Sequence, residues 1–560
     1  MNAHTLSSRL TVFVATVLLF SPFAAAQTTT WQGSSGNGGD GAWATPGDWL
    51  GGIPTSGTSA VFYTDGTFSA TSTVTVAGAN SARSLFVGSG KTVELKMASG
   101  SSLSASGAIT LIGLDSGTGT TAANLTYSGP ASGSATLNLG SFYVGREKSN
   151  DNTLVFSGSL TISDPGTGVS YVGVGNGPGG PSVNNLLKVL DGANLTRFGL
   201  VVGRGTTSIS GNGILLDGAG SKLTVNGGGA ARGFVIGSFS GGQGNYLSVQ
   251  GGAVVNVDTG VGGSSQNFLN VGNSSGSRDN YITVDGAGSL LDLKSSSSLT
   301  LGHASGYGGN YVEVGGTGSI TTNGTMIINT FAVNGGNNSG NNRLTIKNGG
   351  TLTSSSTVSN SGLLQLKAGG IYTGTSTLTV TSTGRFEAEG TGLGSQVATT
   401  INNLGTLALG TTSGRFTGSL LTLNSTVTLA TGAVFEATIF GVGDSDQIVL
   451  GATGDLDLSA GGAVFKLLLS GYAPVAGNQW TIFTGATGAG INGVFPEGSA
   501  ILPALGGGLS WDYSNFNEAG NWNIAVVPEP GVLPLVFIGL CLVAGLSKRR
   551  RVGMSQERAV

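Results

Sequence analysis

Short segments of alternating apolar and polar residues recur along the chain from about residue 80 to about residue 430. Each repeat opens with an asparagine, places apolar residues two positions apart and reaches a glycine soon afterwards. The opening residues are Asn152, Asn185, Asn212, Asn245, Asn280, Asn310 and Asn342, spaced by 33, 27, 33, 35, 30 and 32 positions. Alternation with a period of two predicts β-strands, and the Gly, Asn, Asp and Ser residues between them predict turns.

A second strand in each repeat ends in an apolar residue followed by glycine, and a third strand follows the first turn. The apolar–glycine pairs are Val144-Gly145, Val172-Gly173, Val202-Gly203, Ile236-Gly237, Val271-Gly272 and Leu301-Gly302. Two or three short strands in a repeat of about 30 residues predict an all-β solenoid, and we expect a right-handed parallel β-helix of about 11 or 12 coils. The asparagines would then stack as a hydrogen-bonded ladder at one corner. A β-propeller is the alternative, although its repeat needs about 40 to 45 residues.

The segments on either side of the repeats have a different texture. Residues 31–62 contain Trp31, Trp43 and Trp49, which we expect to cover the open first coil, with sugar binding by these rings as the alternative. Residues 420–525 carry longer and more hydrophobic strands, expected at 432–439, 446–450, 465–469 and 480–483. Both segments resemble bacterial autotransporter-associated β-strand repeat proteins. The resemblance implies a passenger-type body that closes in a β-rich C-terminal module.

The N-terminus has the pattern of a secretory signal peptide. Arg9 precedes an apolar core at 10–20, and the small residues Ala24 and Ala26 predict cleavage by signal peptidase before Gln27. The alternative, an N-terminal membrane anchor, needs about 20 apolar residues. We therefore expect an exported protein.

The C-terminus has three parts: the motif Val527-Pro528-Glu529-Pro530, an apolar run at 531–546 and the basic cluster Lys548-Arg549-Arg550-Arg551. The apolar run predicts one transmembrane helix, and the basic residues place its C-terminal end in the cytoplasm. Sixteen residues span only about 24 Å as a helix, against about 30 Å of hydrocarbon. We expect either that Val526 and Val527 extend the span or that the bilayer thins locally.

This tail resembles the PEP-CTERM sorting domain. The resemblance implies a bacterial envelope protein that enters the cytoplasmic membrane through its C-terminal helix and is handed to an exosortase-type membrane protease acting at the Pro-Glu-Pro motif. It further implies processing to the cell surface or extracellular matrix, where exopolysaccharide or envelope glycans are candidate partners. The expected organisation is a signal peptide at 1–26, a Trp-rich cap at 27–80, β-helix repeats at 81–420, a β module at 421–525, the sorting signal at 526–552 and a cytoplasmic tail at 553–560.

Composition removes several classes of chemistry. The chain has 560 residues, 102 of them Gly, and a net charge of -3, which gives no basic surface for nucleic acid. Cys541 is the only cysteine, so no intramolecular disulfide is expected. After signal removal His303 is the only histidine, which excludes a zinc site with several histidines. We expect no cofactor.

Acidic residues offer few candidates for a site. Three pairs lie two positions apart: Asp444 with Asp446, Asp455 with Asp457, and Glu387 with Glu389. Asp444 and Asp446 are weak candidates for binding Ca²⁺, although no calcium-loop motif surrounds them. The favoured hypothesis is a non-enzymatic structural or adhesive protein of the cell surface or matrix, whose outward Ser and Thr hydroxyls offer glycosylation sites. The alternative is a polysaccharide lyase or hydrolase on a β-helix, a hypothesis that rests on fold analogy.

Overall fold

The computed structural model describes residues 28–529 apart from short internal stretches, of which the longest are 63–69, 112–121, 165–170, 227–232, 259–267, 316–324, 334–341, 410–416 and 515–520. In this part of the chain the secondary structure consists of β-strands and one short 3-10 helix at Pro46–Asp48. The predicted all-β class is confirmed.

Successive repeats contribute one strand each to three long sheets, called sheets A, B and C in chain order. Neighbouring coils pair in parallel except at the ends of the stack. In stacking order, sheet A contains Trp49–Leu50, Thr28–Trp31, Ser59–Phe62, Leu85–Val87, Ile109–Leu111, Phe142–Arg146, Tyr171–Asn176, Gly199–Arg204, Phe234–Ser238, Phe268–Val271, Ser298–Leu301, Thr330–Val333, Val358–Asn360, Leu378–Val380, Ile401–Asn403, Thr426–Leu429, Asp455–Asp457 and Gly490–Asn492.

The other two long sheets follow the same order along the stack. Sheet B contains Gly41–Ala42, Thr71–Val76, Thr92–Met97, Asn124–Ser128, Thr153–Ser157, Leu186–Leu190, Gly213–Asp217, Tyr246–Val249, Tyr281–Val284, Tyr311–Val314, Arg343–Ile346, Leu363–Lys367, Arg385–Glu389, Thr406–Leu409, Val434–Gly441, Asp444–Ser445 and Val464–Leu469. Sheet C contains Ala79–Ala82, Ser102–Ala105, Ala135–Leu139, Leu160–Ser163, Asn194–Arg197, Lys222–Asn226, Val254–Asp258, Leu290–Leu293, Thr325–Ile328, Thr351–Ser354, Ile371–Gly374, Ser395–Ala398, Leu420–Leu423, Gln447–Leu450, Gln479–Gly485, Asn521–Pro528 and Leu509–Asp512. A fourth, small sheet joins Ser182–Val183, Ile209–Ser210 and Gly242–Gln243.

Apolar residues at the inward positions form the core. Leu125, Leu154, Leu187 and Ile214 occupy one position of sheet B in four successive coils and are at most 1% exposed. Burial of each such side chain stabilises the stack by about 1.5–3 kcal/mol. Each repeat therefore supplies strands to three different sheets, which is the arrangement of a β-helix. The β-propeller alternative is wrong, because a propeller repeat forms one four-stranded blade.

The number of coils is larger than expected. Within the described residues, thirteen strands of sheet A begin between residues 80 and 430, against the expected 11 or 12 coils. The coils shorten after residue 342. Side-chain hydrogen bonds between consecutive coils join residues 20 positions apart from Thr345 to Gln365 and 22 apart from Gln365 to Glu387. An average repeat length taken from the asparagine spacing overestimates these later coils.

The seven repeat asparagines are fully buried, stacked at the corner between sheets A and B. The Nδ2 of each of the first six donates to the Oδ1 of the asparagine in the next coil over 2.6 to 3.0 Å. The same Oδ1 accepts the backbone N–H of the preceding asparagine over 3.0 to 3.2 Å. Their Nδ2 groups also donate to carbonyls of the corner loops, as Asn245 does to Ile209 over 3.3 Å. The predicted asparagine ladder is confirmed.

A glycine with positive φ lies beside six of the ladder asparagines. The pairs are Gly145 with Asn185, Gly175 with Asn212, Gly203 with Asn245, Gly237 with Asn280, Gly272 with Asn310 and Gly302 with Asn342. A Cβ at any of these glycines would come within 2.0 to 2.5 Å of the amide group, so no larger residue fits without displacing the ladder. One prediction is misplaced: Val174-Gly175 occupies the position assigned to Val172-Gly173, because Val144 pairs with Val174 in the next coil.

The tryptophans of the N-terminal segment cover the first coil. Trp31, Trp43 and Trp49 are at most 3% exposed. Trp49 packs edge-on against Trp31 at 4.8 Å and Trp43 at 5.1 Å, and against Phe62 at 5.5 Å. The cap interpretation is confirmed, because rings buried in this way present no face to a sugar.

The C-terminal end of the stack is closed by antiparallel pairing. Asn521–Pro528 lies between Gln479–Gly485 and Leu509–Asp512 and is antiparallel to both. Trp522 and Ile524 of this strand are fully buried. Folding the chain back in this way covers an edge of the stack that would otherwise be open to further pairing.

This last strand crosses the boundary expected at residue 525. Val526 is fully buried, and Val527 pairs with Ser510. The expectation that these two valines extend the apolar run is therefore wrong, because both belong to the C-terminal module. In the described part of the chain no helix is long and apolar enough to cross a membrane. The expected signal peptide and the run at 531–546 lie outside the described residues.

Candidate functional site

The outer face of sheet B carries a continuous series of polar and ionic contacts. We call it the charged stripe, and it comprises Thr345, Gln365, Arg385, Glu387, Glu436 and Lys466. Thr345 Oγ1 donates to Gln365 Oε1 over 3.1 Å, and Gln365 Nε2 donates to Glu387 Oε2 over 2.7 Å. Parallel, in-register pairing produces this arrangement, since it places the outward residues of successive coils side by side.

Two carboxylates of the charged stripe share one guanidinium. Arg385 donates from Nε to Glu387 over 2.6 Å and from Nη2 to Glu436 over 2.8 Å. Glu436 lies two coils beyond Glu387, and Ala408 occupies the intervening position. The small side chain of Ala408 leaves room for Arg385 to reach across. Lys466 Nζ donates to the second oxygen of Glu436 over 2.9 Å.

These contacts shift the pKa values of Glu436 and Arg385. Burial alone would raise the pKa of Glu436, but hydrogen bonds from Arg385 and Lys466 and their positive charges outweigh it and lower the net pKa. Burial likewise opposes the charge of Arg385, whereas its bonds to Glu436 and Glu387 raise its pKa above the usual value. Glu436 is thus held as an anion between two cations, an arrangement that favours neither a general acid nor a free base.

A tyrosine stack lies N-terminal to the charged stripe on the same face. The rings of Tyr246 and Tyr281 are 5.3 Å apart at 10°, and those of Tyr281 and Tyr311 are 4.9 Å apart at 3°. The Arg343 guanidinium covers Tyr311 at 4.3 Å, and Gly213 lies against the Tyr246 ring, since a Cβ there would be 2.1 Å from Cζ. Partial burial raises the pKa of all three tyrosines. The ring faces are occupied, so only the edges and hydroxyls are available to a partner.

The acidic pair at 444 and 446 has a structural role. Asp446 is fully buried and accepts the backbone N–H groups of Ser419 and Thr438, each over 2.8 Å. Asp444 accepts the N–H of Gly418 over 2.8 Å. Both carboxylates hold neighbouring coils together at the hairpin that extends from sheet B. Within the described residues no group of three His, Cys, Asp or Glu side chains is arranged to hold a metal ion.

The other predicted acids are also engaged. Asp455 accepts the N–H of Gly490 over 3.0 Å, and Asp457 accepts the N–H of Ser459 over 2.9 Å. Hydrogen bonds from Ser459 lower the pKa of Asp457. The remaining acids contact the stripe or its neighbours: Glu387 binds Arg385, and Glu389 lies 3.5 Å from Lys367.

Arg197 is an ionisable residue inside the stack that sequence reasoning overlooked. Arg197 is fully buried, with its guanidinium 5.0 Å from the Phe142 ring, and it donates to the Thr196 carbonyl over 3.1 Å. Burial lowers its pKa to about 10, and the charge of Asp164 opposes that shift. Strict alternation within Asn194–Arg197 is the signal that places Arg197 inward, since Leu195 of the same strand is buried as well.

Most residues of the predicted sorting signals lie outside the described residues. They are Ala24, Ala26, Gln27, Pro530, Lys548, Arg549, Arg550 and Arg551, and His303 is outside as well. The first residues of the C-terminal motif are described: Val527 and Pro528 end the last strand, and the N–H of Glu529 donates to the Gly508 carbonyl over 2.8 Å. The Pro-Glu-Pro motif thus begins inside the folded module.

Comparison with known proteins adds little to this description. No family model matches the sequence, and no curated protein matches it significantly. Among solved structures, the crystal structure of the TibC-catalyzed hyper-glycosylated TibA55-350 fragment matches at 12% identity, over 77% of this chain and 100% of that one, with a TM-score of 0.23. A score this low transfers neither fold nor function.

Proposed function

We propose that this chain is an exported, non-enzymatic structural or adhesive protein of the bacterial cell surface or extracellular matrix. Its body is a right-handed parallel β-helix, held at the cytoplasmic membrane through the apolar run at 531–546 until it is released to the surface. The tail's resemblance to the PEP-CTERM sorting domain supports an exosortase-type protease as the processing partner. Exopolysaccharide or envelope glycans are the proposed ligands of the outer surface.

One observation favours a structural role over catalysis. Every acid that the sequence singled out contacts a group of the fold itself, either a backbone N–H or a lysine or arginine side chain. A glycan-cleaving site needs a carboxylate with a tunable pKa that faces the substrate. Here most of the carboxylates join one coil to another, as expected of a structural rod with polar sides.

The intact mass of the protein from fractionated native cells tests the exported, processed state. We expect a chain that begins at Gln27, ends near Pro528-Glu529-Pro530 and is found at the cell surface or in the medium. Mass in excess of the trimmed polypeptide would measure glycosylation of the outward hydroxyls. A full-length chain in the cytosol would contradict the proposal, and a full-length C-terminus in the cytoplasmic membrane would make the tail a permanent anchor.

Catalysis is tested separately with pectin, alginate and xylan. We expect no release of unsaturated or reducing ends by the mature protein. If ends are released and the Glu387→Gln variant loses this activity while remaining folded, the charged stripe is a catalytic site and the structural proposal is wrong. Asp457→Asn is the matched control, since this carboxylate lies on sheet A, away from the stripe.

A further inference from the structure

The chain leaves the folded module very close to its apolar run. Pro528 still pairs with Leu509, and the N–H of Glu529 still donates to Gly508. The run begins at Gly531, two residues later. Two residues reach at most about 7 Å, and the headgroup layer on each side of a bilayer is about 5–7 Å thick. A span beginning at Gly531 therefore leaves no linker to hold the module away from the lipid.

The surface around this exit is apolar. We call it the exit patch: Tyr472, Val475, Pro503, Leu509 and Trp511. Trp511 pairs with Val526 in the neighbouring strand, and its Nε1 donates to the Pro503 carbonyl over 2.8 Å. The Trp480 ring lies 6.1 Å from Trp511 and 6.0 Å from Tyr472. The Tyr472 hydroxyl and the Val475 N–H both donate to the side-chain oxygen of Asn478. The backbone carbonyl of Asn478 accepts the N–H of Val526 over 2.9 Å.

Two loops of unusual composition extend the exit patch. Residues 473–476 read Ala-Pro-Val-Ala and 502–505 read Leu-Pro-Ala-Leu, and Val475 is 58% exposed. Between Lys466 and Asp512 the sequence holds a single charged residue, Glu497. Surface loops are normally polar, whereas aromatic residues beside apolar ones are typical of the membrane–water interface.

We infer that the exit patch rests on the bilayer, with the 473–476 and 502–505 loops among the lipid headgroups and the rod standing on its C-terminal end. This inference rests on the proposed membrane anchor. It assigns the patch a partner, a lipid surface.

Single labels on the full chain test this contact. In a Cys541→Ser background, Val475→Cys and Leu50→Cys each carry one environment-sensitive fluorophore. Leu50 is the matched control, because it is 57% exposed and lies in the first strand of sheet A, at the opposite end of the stack. The labelled proteins are reconstituted in vesicles of phosphatidylethanolamine and phosphatidylglycerol, with and without brominated lipid. Circular dichroism checks that both variants are folded.

We expect both proteins to float with the vesicles, with the label at 475 blue-shifted and quenched at least threefold more by brominated lipid than the label at 50. Flotation with equal, weak quenching at both sites would overturn the docking inference and leave the anchor intact. Absence of flotation would overturn the anchor and the docking together. Burial of the 475 label that depends on protein concentration but not on brominated lipid would assign the patch to a second copy of the chain and contradict the lipid contact.

Discussion

The coils from Asn152 to Asn342 and the coils that follow them differ in the polar contacts that join one coil to the next. In the first region consecutive asparagines lie 27 to 35 residues apart, and a buried amide ladder occupies the corner between sheets A and B. In the second region the corner positions are Gly362, Gly384, Gly405, Ala433 and Ala463, which continue the same column of backbone hydrogen bonds. There the polar contacts between coils lie outside, in the charged stripe.

The length of the corner loop explains the difference. Nine residues separate Leu301 from Tyr311, whereas two separate Asn360 from Leu363. A long corner buries carbonyl groups that no sheet can pair, and the asparagine amides satisfy them. A corner of two residues buries few such carbonyl groups, so no side-chain amide is needed to pair them. A glycine or alanine can then occupy the corner, and the backbones of neighbouring coils approach more closely. The ladder is thus a consequence of loop length, and the following predictions test that claim.

Breaking the ladder at its centre should have the largest effect. Asn245→Ala removes the acceptor for both nitrogens of Asn212 and a donor to Ile209. We expect a loss of about 4 kcal/mol in the free energy of unfolding, because each buried polar group left unpaired costs about 1–3 kcal/mol. Urea unfolding of the mature protein measures it. Asn256→Ala, at an outward position of sheet C, is the control and should change stability by less than about 0.5 kcal/mol.

Substituting a glycine beside the ladder should lower the free energy of unfolding somewhat less than Asn245→Ala does. Gly237→Ala places a Cβ 2.3 Å from the amide nitrogen of Asn280 at φ +69. We expect a loss of about 3 kcal/mol, of which about 1 kcal/mol is the left-handed conformation. Gly192→Ala, at φ +90 with no atom within 4 Å, should show only the conformational part. In an Asn280→Ala background the cost of Gly237→Ala should fall by about 1 kcal/mol; equal costs in both backgrounds would contradict the coupling.

A methyl group at the two-residue corners of the later coils should also be destabilising, but through close backbone contact and not through a left-handed conformation. Gly405 has ordinary backbone angles, but a Cβ there would lie 2.2 Å from the Thr381 carbonyl oxygen and 2.3 Å from that of Gly384. We expect Gly405→Ala to lose about 2 kcal/mol through overpacking. Gly506→Ala, also without positive φ and with no atom within 4 Å, should be neutral or slightly stabilising in the same unfolding assay. If Gly405→Ala is also neutral, close backbone approach does not explain the glycine column.

How far the sequence predicts each region follows from the same physics. The Asn-to-Asn spacing and the apolar–glycine pairs predict the asparagine ladder and the glycines beside it. They do so because each buried amide restricts two positions of its coil, one to asparagine and one to glycine. The single error, Gly173 for Gly175, arose because Tyr171–Asn176 contains two glycines that alternate with valine. In the later coils the corner accepts Gly or Ala, residues common everywhere in this chain, so no periodic signal marks the shorter repeat.

The candidate site was harder to predict for a related reason. The contact between Arg385 and Glu436 spans 51 positions and depends on the small Ala408 between them, which no local pattern encodes. The acids form pairs two positions apart in the sequence, yet many of their partners, such as Gly418 for Asp444 and Gly490 for Asp455, come from other coils. The exit patch likewise emerges only when the last strand folds back and brings 472–475 beside 503–511.

The smallest predicted effect concerns the charged stripe, whose contribution to stability should depend on pH, whereas that of the asparagine ladder should not. The pKa of Glu436 is lower in the folded state than its ordinary value of 4.5, so its contribution to stability is complete above that pH and is lost as the pH falls through the folded pKa. We expect Glu436→Gln to lower the free energy of unfolding by about 1 kcal/mol at pH 7 and by progressively less as the pH falls through the folded pKa of Glu436, as measured by urea unfolding across a pH series. The loss from Asn245→Ala should be the same at every pH of the series, because amides do not titrate there. A pH-dependent cost of Asn245→Ala would mean that the two regions do not stabilise the rod by separate means.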